Sequence, residues 1–436
     1  MHERVALGLI ALLAGCMTDQ NGNRCTYSPG NDGQCPPDDR GGGGGGPTYR
    51  SYSSPAAVTE GDHLRVVMTT REGDQPSALE TATVQDGAPS ELAAVLLGGA
   101  PSKHVGAPQL SAIDDRILLG WNGGDQHRAA VLADGTLAST PIDLGDAKQM
   151  TLRRIGARWL AVHAATDVPL IDGTVTATWV TRDGALAGTV TLATGVQTLS
   201  SITDDPSGAS PVFAIAFTRA VDDTGVRELR VARFSSMGER LGADSVVVAR
   251  SVPKTFSVLH ASVGAARDGS VLVVYAALDA NIQREVHAVS IAMDGTLTEH
   301  PTALPPSFTA PQLIPHGDDF FALSILVGET ETIAQTAIVS RAGSVLAGPT
   351  LAAAVAYGWP RAIATRDGFA LVHDDVDVSV THLNARGEPA ETTIVATTHE
   401  VDSGGCHAAG SSSAGVALAL IGLLRRRRTR GGRAIG

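Results

Sequence analysis

Asp134-Gly135-Thr136-Leu137 is the stretch of this 436-residue chain that decides its fold. An Asp-Gly pair favours a tight hairpin turn, because glycine accepts the positive φ that such turns require. Closely similar stretches recur as Asp183-Gly184-Ala185-Leu186, Asp294-Gly295-Thr296-Leu297 and Ala342-Gly343-Ser344-Val345-Leu346. The chain therefore contains a repeated hairpin between apolar runs.

The repeat has seven copies, and each is marked by a glycine in a polar turn. These glycines, 44 to 57 residues apart, are Gly87, Gly135, Gly184, Gly238, Gly295, Gly343 and Gly387. A run of β-branched and aliphatic residues precedes each turn, at 64–68, 116–121, 158–163, 211–217, 270–275, 320–326 and 368–372. Before that run lies a shorter segment, seen in Ala107-Pro108-Gln109-Leu110 and Ala310-Pro311-Gln312-Leu313, with Ser54-Pro55-Ala56 and Trp359-Pro360-Arg361 as degenerate copies. Each unit is thus predicted to form four short strands.

Seven units of four antiparallel strands predict an all-β chain folded as a β-propeller of about seven blades. Radial closure would protect the apolar edges that isolated four-stranded sheets expose. The body resembles bacterial surface propellers in general, without matching a named family. A tandem of β-sandwiches, or six blades with one irregular unit, is the alternative.

The composition limits the partners that the protein can have. The formal net charge is −12, which argues against binding nucleic acid. With 43% hydrophobic but only 4% aromatic residues, the core is expected to be aliphatic. The expected ligand is a protein or a glycan.

The N-terminus has the form of a secretion signal. A short charged start is followed by an apolar run at 5–14 and by Leu13-Ala14-Gly15-Cys16, which resembles the lipobox of bacterial lipoproteins. The resemblance implies that residues 1–15 are removed and that Cys16 is lipidated, which would anchor the chain in a membrane. Met17 favours the outer membrane or cell surface. The alternative is an ordinary signal that leaves Cys16 as a free thiol.

The C-terminal segment 400–436 also has the form of a targeting signal. Cys406 precedes a short apolar run at 414–424 and the cluster Arg425, Arg426, Arg427 and Arg428. This order resembles myxobacterial C-terminal sorting tails, which implies a sorting protease that removes the tail. A plain single-span anchor is the alternative, although the apolar run is marginal in length.

A flexible linker is predicted at 16–50, because residues 41–46 are all glycine and neither follow a strand nor open a helix. It contains Cys25 and Cys35, which we expect to form a local disulfide in an oxidising compartment. Two cysteines without nearby histidine cannot complete a structural zinc site. The propeller is then expected to span 51–399.

No linear catalytic motif is present: there is no nucleophile elbow, no phosphate-binding loop and no His-Glu-x-x-His pair. Acidic residues occur in every loop between the second and third strands, where they could bind calcium, but Asp is common in turns and the opposite loops are acidic too. The densest cluster, His373-Asp374-Asp375-Val376-Asp377, is interpreted as a solvated turn.

The sequence therefore predicts no catalytic residue, no metal and no cofactor. The expected protein is a surface-anchored, non-catalytic binding or scaffold propeller lipoprotein of a Gram-negative, myxobacterial-type envelope. The alternative is an exported hydrolase or lyase with its site at the mouth of the propeller channel.

Overall fold

A computed structural model describes most of the repeated body. The described residues are 48–73, 75–97, 105–123, 126–145, 149–164, 173–203, 210, 212–221, 226–251, 260–278, 284–301, 304, 307–327, 331–355 and 359–401. The predictions for Cys16, the Cys25–Cys35 pair, Cys406 and the four arginines from Arg425 to Arg428 fall outside these residues and stay predictions.

The described residues form seven antiparallel sheets, which we number as blades in chain order. Blade 1 contains Thr48–Glu60, His63–Glu72, Ala78–Gln85, Ala88–Pro89 and Ala93–Ala94. Blade 2 contains Val105–Ile113, Arg116–Gly123, His127–Ala133, Thr136–Leu137 and Ile142–Asp143. Blade 3 contains Gln149–Ile155, Arg158–Ala164, Gly173–Val180 and Leu186–Val196. Blade 4 contains Thr198–Ile202, Val212–Ala220, Val226–Ser235 and Ser245–Ser251.

The remaining three blades repeat the same order of four strands. Blade 5 contains His260–Ala265, Val271–Leu278, Arg284–Ile291 and Leu297–His300. Blade 6 contains Gln312–His316, Asp319–Val327, Thr332–Val339 and Val345–Val355. Blade 7 contains Arg361–Ala364, Gly368–Asp374, Asp377–Asn384 and Pro389–Thr397. None of the described residues forms a helix with the length and apolar character needed to cross a bilayer.

The hydrophobic core closes the sheets into a ring. Seven buried clusters occur among the described residues, and each draws side chains from two consecutive blades. One of them joins the last blade to the first, through residues such as Val372 and Met68. Because each interface buries aliphatic side chains from both sheets, the ring is held by the hydrophobic effect at every joint. The predicted seven-bladed propeller is confirmed.

The two ends of the ring meet in a short ladder. His399–Val401 pairs antiparallel with the start of the first strand of blade 1, where Arg50 lies opposite His399. Every blade is otherwise built from one contiguous stretch of chain. The chain thus enters and leaves the ring at the same place.

The seven turn glycines connect the third and fourth strands of the blades, and all have positive φ. Each turn lies against the preceding blade. A Cβ on Gly343, for example, would lie 2.6 Å from the Cβ of Ala288 in blade 5. Glycine is therefore required there both for the backbone conformation and for the close approach of two blades.

The proline-containing segments belong to the first strand of their blades. Pro55 and Pro108 lie where the pairing register of that strand shifts, and Pro311 and Pro360 come immediately before it. Proline suits these positions because it cannot donate a hydrogen bond to the ladder. First strands of neighbouring blades contact one another around the ring, so they line the central channel.

Strand alternation gives the ring two faces. We call the face that carries the loops between second and third strands the upper face. First strands begin there, so their first residues surround the upper mouth of the channel. The hairpins between first and second strands, and those at the turn glycines, lie on the lower face.

Candidate functional site

The upper mouth of the channel differs between blades at one repeated position. The residues around the proline are small or amide-bearing in three blades, as in Ser54-Pro55-Ala56, Ala107-Pro108-Gln109 and Ala310-Pro311-Gln312. Blade 7 has Trp359-Pro360-Arg361 instead. A large aromatic side chain and a cation therefore replace the small residue and the amide in this blade.

Gln312 shows what the residue after the proline does elsewhere in the repeat. Its Nε2 donates to the carbonyl of Ala362 at 2.8 Å, and its Oε1 accepts from the Ala362 amide at 3.0 Å. The side chain thereby joins the first strand of blade 6 to that of blade 7. This role is structural, so the change to arginine in blade 7 calls for another explanation.

Arg361 is the first residue of the innermost strand of blade 7, and its side chain is exposed to solvent. Partial burial lowers the pKa of Arg361, and the carboxylate of Asp374 opposes that shift. An exposed side chain at the start of the innermost strand fits a position at the channel mouth. Arginine stays protonated at physiological pH, so the mouth carries a fixed cation.

Trp359 provides an accessible aromatic surface next to this cation in the chain. Its side chain is 50% exposed, and its ring centroid lies 5.7 Å from that of Phe308. The Phe308 amide donates to the Ile325 carbonyl at 2.7 Å, and the Ser307 hydroxyl also bonds the Ile325 backbone. The aromatic pair is therefore supported by blade 6.

Asp374 ties the mouth of blade 7 to blade 1. Its Oδ2 accepts the Ser54 amide at 2.9 Å. Ser54 lies at the register shift of its strand and has a φ of 51°, a conformation that residues other than glycine rarely adopt. Bulges and strained residues of this kind occur beside functional sites, where they direct side chains.

The acidic cluster at 373–377 forms the hairpin turn that leads into the third strand of blade 7. Asp375 and Val376 are exposed, and the Asp375 amide donates to the Asp377 carbonyl at 3.1 Å. Burial lowers the pKa of His373, whose Nε2 lies 3.3 Å from the Thr381 hydroxyl. Within the described part of the chain, no three His, Cys, Asp or Glu side chains are arranged to hold a metal ion.

Sequence reasoning grouped Trp359-Pro360-Arg361 with the repeat but did not identify it as a site. The available signal was its departure from the other copies at two adjacent positions. The position of Arg361 at the channel mouth depends on the convergence of seven blades, which no local pattern reveals.

No family model and no curated protein sequence matches the chain. Solved structures do match. An ulvan lyase of a polysaccharide lyase family, bound to GlcA(1-4)Rha3S, is 9% identical, with a TM-score of 0.52 over 81% of this chain and 96% of that chain. A second ulvan lyase structure has a TM-score of 0.50 over the same shares. Prolyl oligopeptidase B from Galerina marginata is 11% identical, with a TM-score of 0.48 over 81% of this chain and 51% of that chain. At these identities the likeness is one of fold.

These comparisons overturn the prediction of a non-catalytic protein. The ulvan lyase structures, which match with TM-scores of 0.52 and 0.50, show that an enzyme can have this fold. The prediction depended on the absence of linear motifs. A propeller site is assembled from strand ends of different blades, so a linear motif is not needed for catalysis on this fold.

Proposed function

We propose that the protein is an exported, lipid-anchored propeller that binds an acidic polysaccharide at the upper mouth of its channel and cleaves it as a lyase. The observation that carries the proposal is the pair Trp359 and Arg361, which departs from the other proline-containing copies of the repeat at the beginning of the first strand of blade 7.

Arg361 supplies the charge that this ligand requires. A guanidinium binds a carboxylate or a sulfate through parallel hydrogen bonds, and partial burial strengthens that interaction relative to open water. In a chain with a net charge of −12, the cation of Arg361 at the mouth would select for an anionic group at a defined place. Trp359 offers a flat apolar face on which a sugar ring can rest.

The same cation suits lyase chemistry. Elimination from a uronate begins with removal of the proton beside the carboxylate, and negative charge then develops on the carboxylate oxygens. A cation paired with those oxygens stabilises this charge in the transition state. The ligand named for the ulvan lyase contains a uronate and a sulfated sugar, which supports an acidic glycan as the ligand of this related fold.

Two sequence features support a location at the cell surface: the lipobox-like stretch that ends at Cys16 and the tail that follows Cys406. Lipidation at Cys16 would tether the ring through the segment at 17–47, and removal of the tail after Cys406 would leave one anchor. Display on the outer membrane is consistent with a polymeric ligand that cannot enter the cell.

The test uses the purified full-length chain with polyuronates and sulfated uronate polymers, and it measures binding by calorimetry and cleavage by the ultraviolet absorbance of unsaturated uronate ends. Arg361→Gln introduces the residue that blade 6 carries at this position, so the fold should be kept. Cleavage should fall by about a hundredfold, as for loss of one stabilising donor. Trp359→Ala should weaken binding.

Arg366→Gln is the matched control, because Arg366 is an exposed arginine of the same blade on the lower face. It should bind and cleave as the wild type does. Equal activity of the Arg361 and Arg366 variants would refute the site, and wild-type binding without unsaturated products would refute the lyase assignment alone.

A further inference from the structure

A second constellation lies on the outer edge of blade 5, away from the channel. The Ser290 hydroxyl, on the third strand, is 2.8 Å from Nε2 of His300, on the fourth. Both side chains are partly exposed. A serine hydroxyl within hydrogen-bond distance of an imidazole is the arrangement by which proteins activate serine as a nucleophile.

The repeat varies at the position of Ser290, which lies five residues before its turn glycine. Ala82 and Ala130 hold the corresponding positions of blades 1 and 2, and Trp179 and Arg233 hold those of blades 3 and 4. Those large side chains reach the next blade. Trp179 comes within 3.2 Å of where a Cβ on Gly238 would lie, and Arg233 donates to the carbonyls of Ala292 and Met293. In blade 5 a small hydroxyl takes their place and bonds His300 instead.

His300 also lines a cavity of about 580 Å³ at this edge. The other lining residues include Glu285, His287, Glu299 and Leu304, so the wall combines carboxylates with apolar surface. The cavity volume is within the range of small-molecule sites. The carboxylates disfavour an anionic ligand and favour an uncharged or cationic one.

We infer that Ser290 is an activated serine that accepts the acyl group of a small, uncharged or cationic carboxylic ester. Ser290 Oγ forms a bond to the acyl carbon while its proton passes to Nε2 of His300. The bond from that carbon to the leaving oxygen breaks, and the alcohol departs with the proton from His300. Water then attacks the acyl-serine by the reverse route and releases the carboxylic acid.

The experiment treats the full-length protein with a fluorophosphonate probe and locates the label by peptide mass spectrometry. Ser290 should be phosphonylated with loss of fluoride. His300→Gln should slow labelling by about a hundredfold, the usual contribution of a general base. Release of nitrophenol from p-nitrophenyl acetate, which is uncharged, should decrease in parallel, and Ser290→Ala should abolish both signals.

Ser262→Ala is the control, because Ser262 is a partly exposed strand serine of the same blade. It should leave labelling of Ser290 unchanged. The circular dichroism of every variant is compared with the wild type, so a loss of labelling is credited to the site only in folded protein. Absence of label at Ser290 in the wild type, or label that persists in His300→Gln or after heat denaturation, would overturn the inference. This outcome is independent of the channel site.

Discussion

Substituting alanine at one turn glycine tests how neighbouring blades are joined. Gly343 connects the third and fourth strands of blade 6 with a φ of +78°, and a Cβ there would lie 2.6 Å from the Cβ of Ala288. Ala288 is fully buried between its neighbours and has little room to move. Two costs should therefore add in the Gly343→Ala variant.

The left-handed conformation costs an L-residue about 1–2 kcal/mol. The close contact adds an overpacking cost of about 1–3 kcal/mol, because carbon atoms prefer separations of about 3.5–4 Å. The free energy of unfolding should thus fall by about 2–5 kcal/mol in total. Urea unfolding followed by tryptophan fluorescence measures it, since Trp121 and Trp159 are buried in the ring.

Gly317→Ala separates the two costs. Gly317 lies in another turn of the same blade with a φ of +64°, and no heavy atom lies within 4 Å of its Cβ position. This variant should lose only the conformational part, about 1–2 kcal/mol. If Gly343→Ala is no more destabilising than Gly317→Ala, the turn does not act as a contact between blades, and the reasoning fails.

Other expectations concern the first strands, a partly buried histidine and the two ends of the chain. Gln312→Ala removes both bonds to Ala362 and should lower the free energy of unfolding by about 1–3 kcal/mol in urea; an unchanged midpoint would contradict the bridging role. Burial lowers the pKa of His163 below its ordinary value of 6.5, so below that pH the unfolded chain binds the proton more readily and stability should fall as pH falls. Thermal melts at pH values below 6.5 should show a weaker pH dependence in His163→Gln than in the wild type. Cys16→Ser should abolish palmitate incorporation and leave an unprocessed precursor. Normal palmitate labelling of this variant would refute lipidation at Cys16. Mass spectrometry of the mature protein should find no peptide from 417–436, and an intact C-terminus would show a retained anchor.

The fold was predictable because its determinants are local and repeated. A turn such as Asp134-Gly135 carries its own conformational preference, and apolar runs at regular spacing fix the strands between turns. The structure adds that each turn also contacts the preceding blade. That second requirement on Gly343 depends on Ala288, 55 positions earlier in the chain, and could not be seen in the sequence.

The candidate site was less predictable, because its properties arise only when the ring closes. Arg361 and Asp374 are thirteen positions apart, and the Ser54 amide that binds Asp374 comes from the other end of the body. The aromatic partner Phe308 belongs to the connection into another blade. No local periodicity relates these residues. The acidic turn at 373–377 is recognisable in the sequence by its composition, but its position beside the channel mouth is not.

A ring of similar blades can carry one asymmetric site because positions at the blade interfaces and positions at the channel mouth have different roles. The seven interfaces require buried aliphatic side chains, so changes there reduce stability. The upper ends of the first strands face the channel, where a side chain contributes little to the core and can vary at low cost. Gln312 shows that even a useful residue at this level contributes only hydrogen bonds to one neighbour. Replacement of that glutamine by Arg361 in blade 7 therefore gives up one bridge between blades and gains a fixed charge in the mouth. Gln312 of blade 6 shows that this position of the repeat accepts glutamine. Arg361→Gln in blade 7 should therefore preserve the ring while removing the charge on which the proposed function depends.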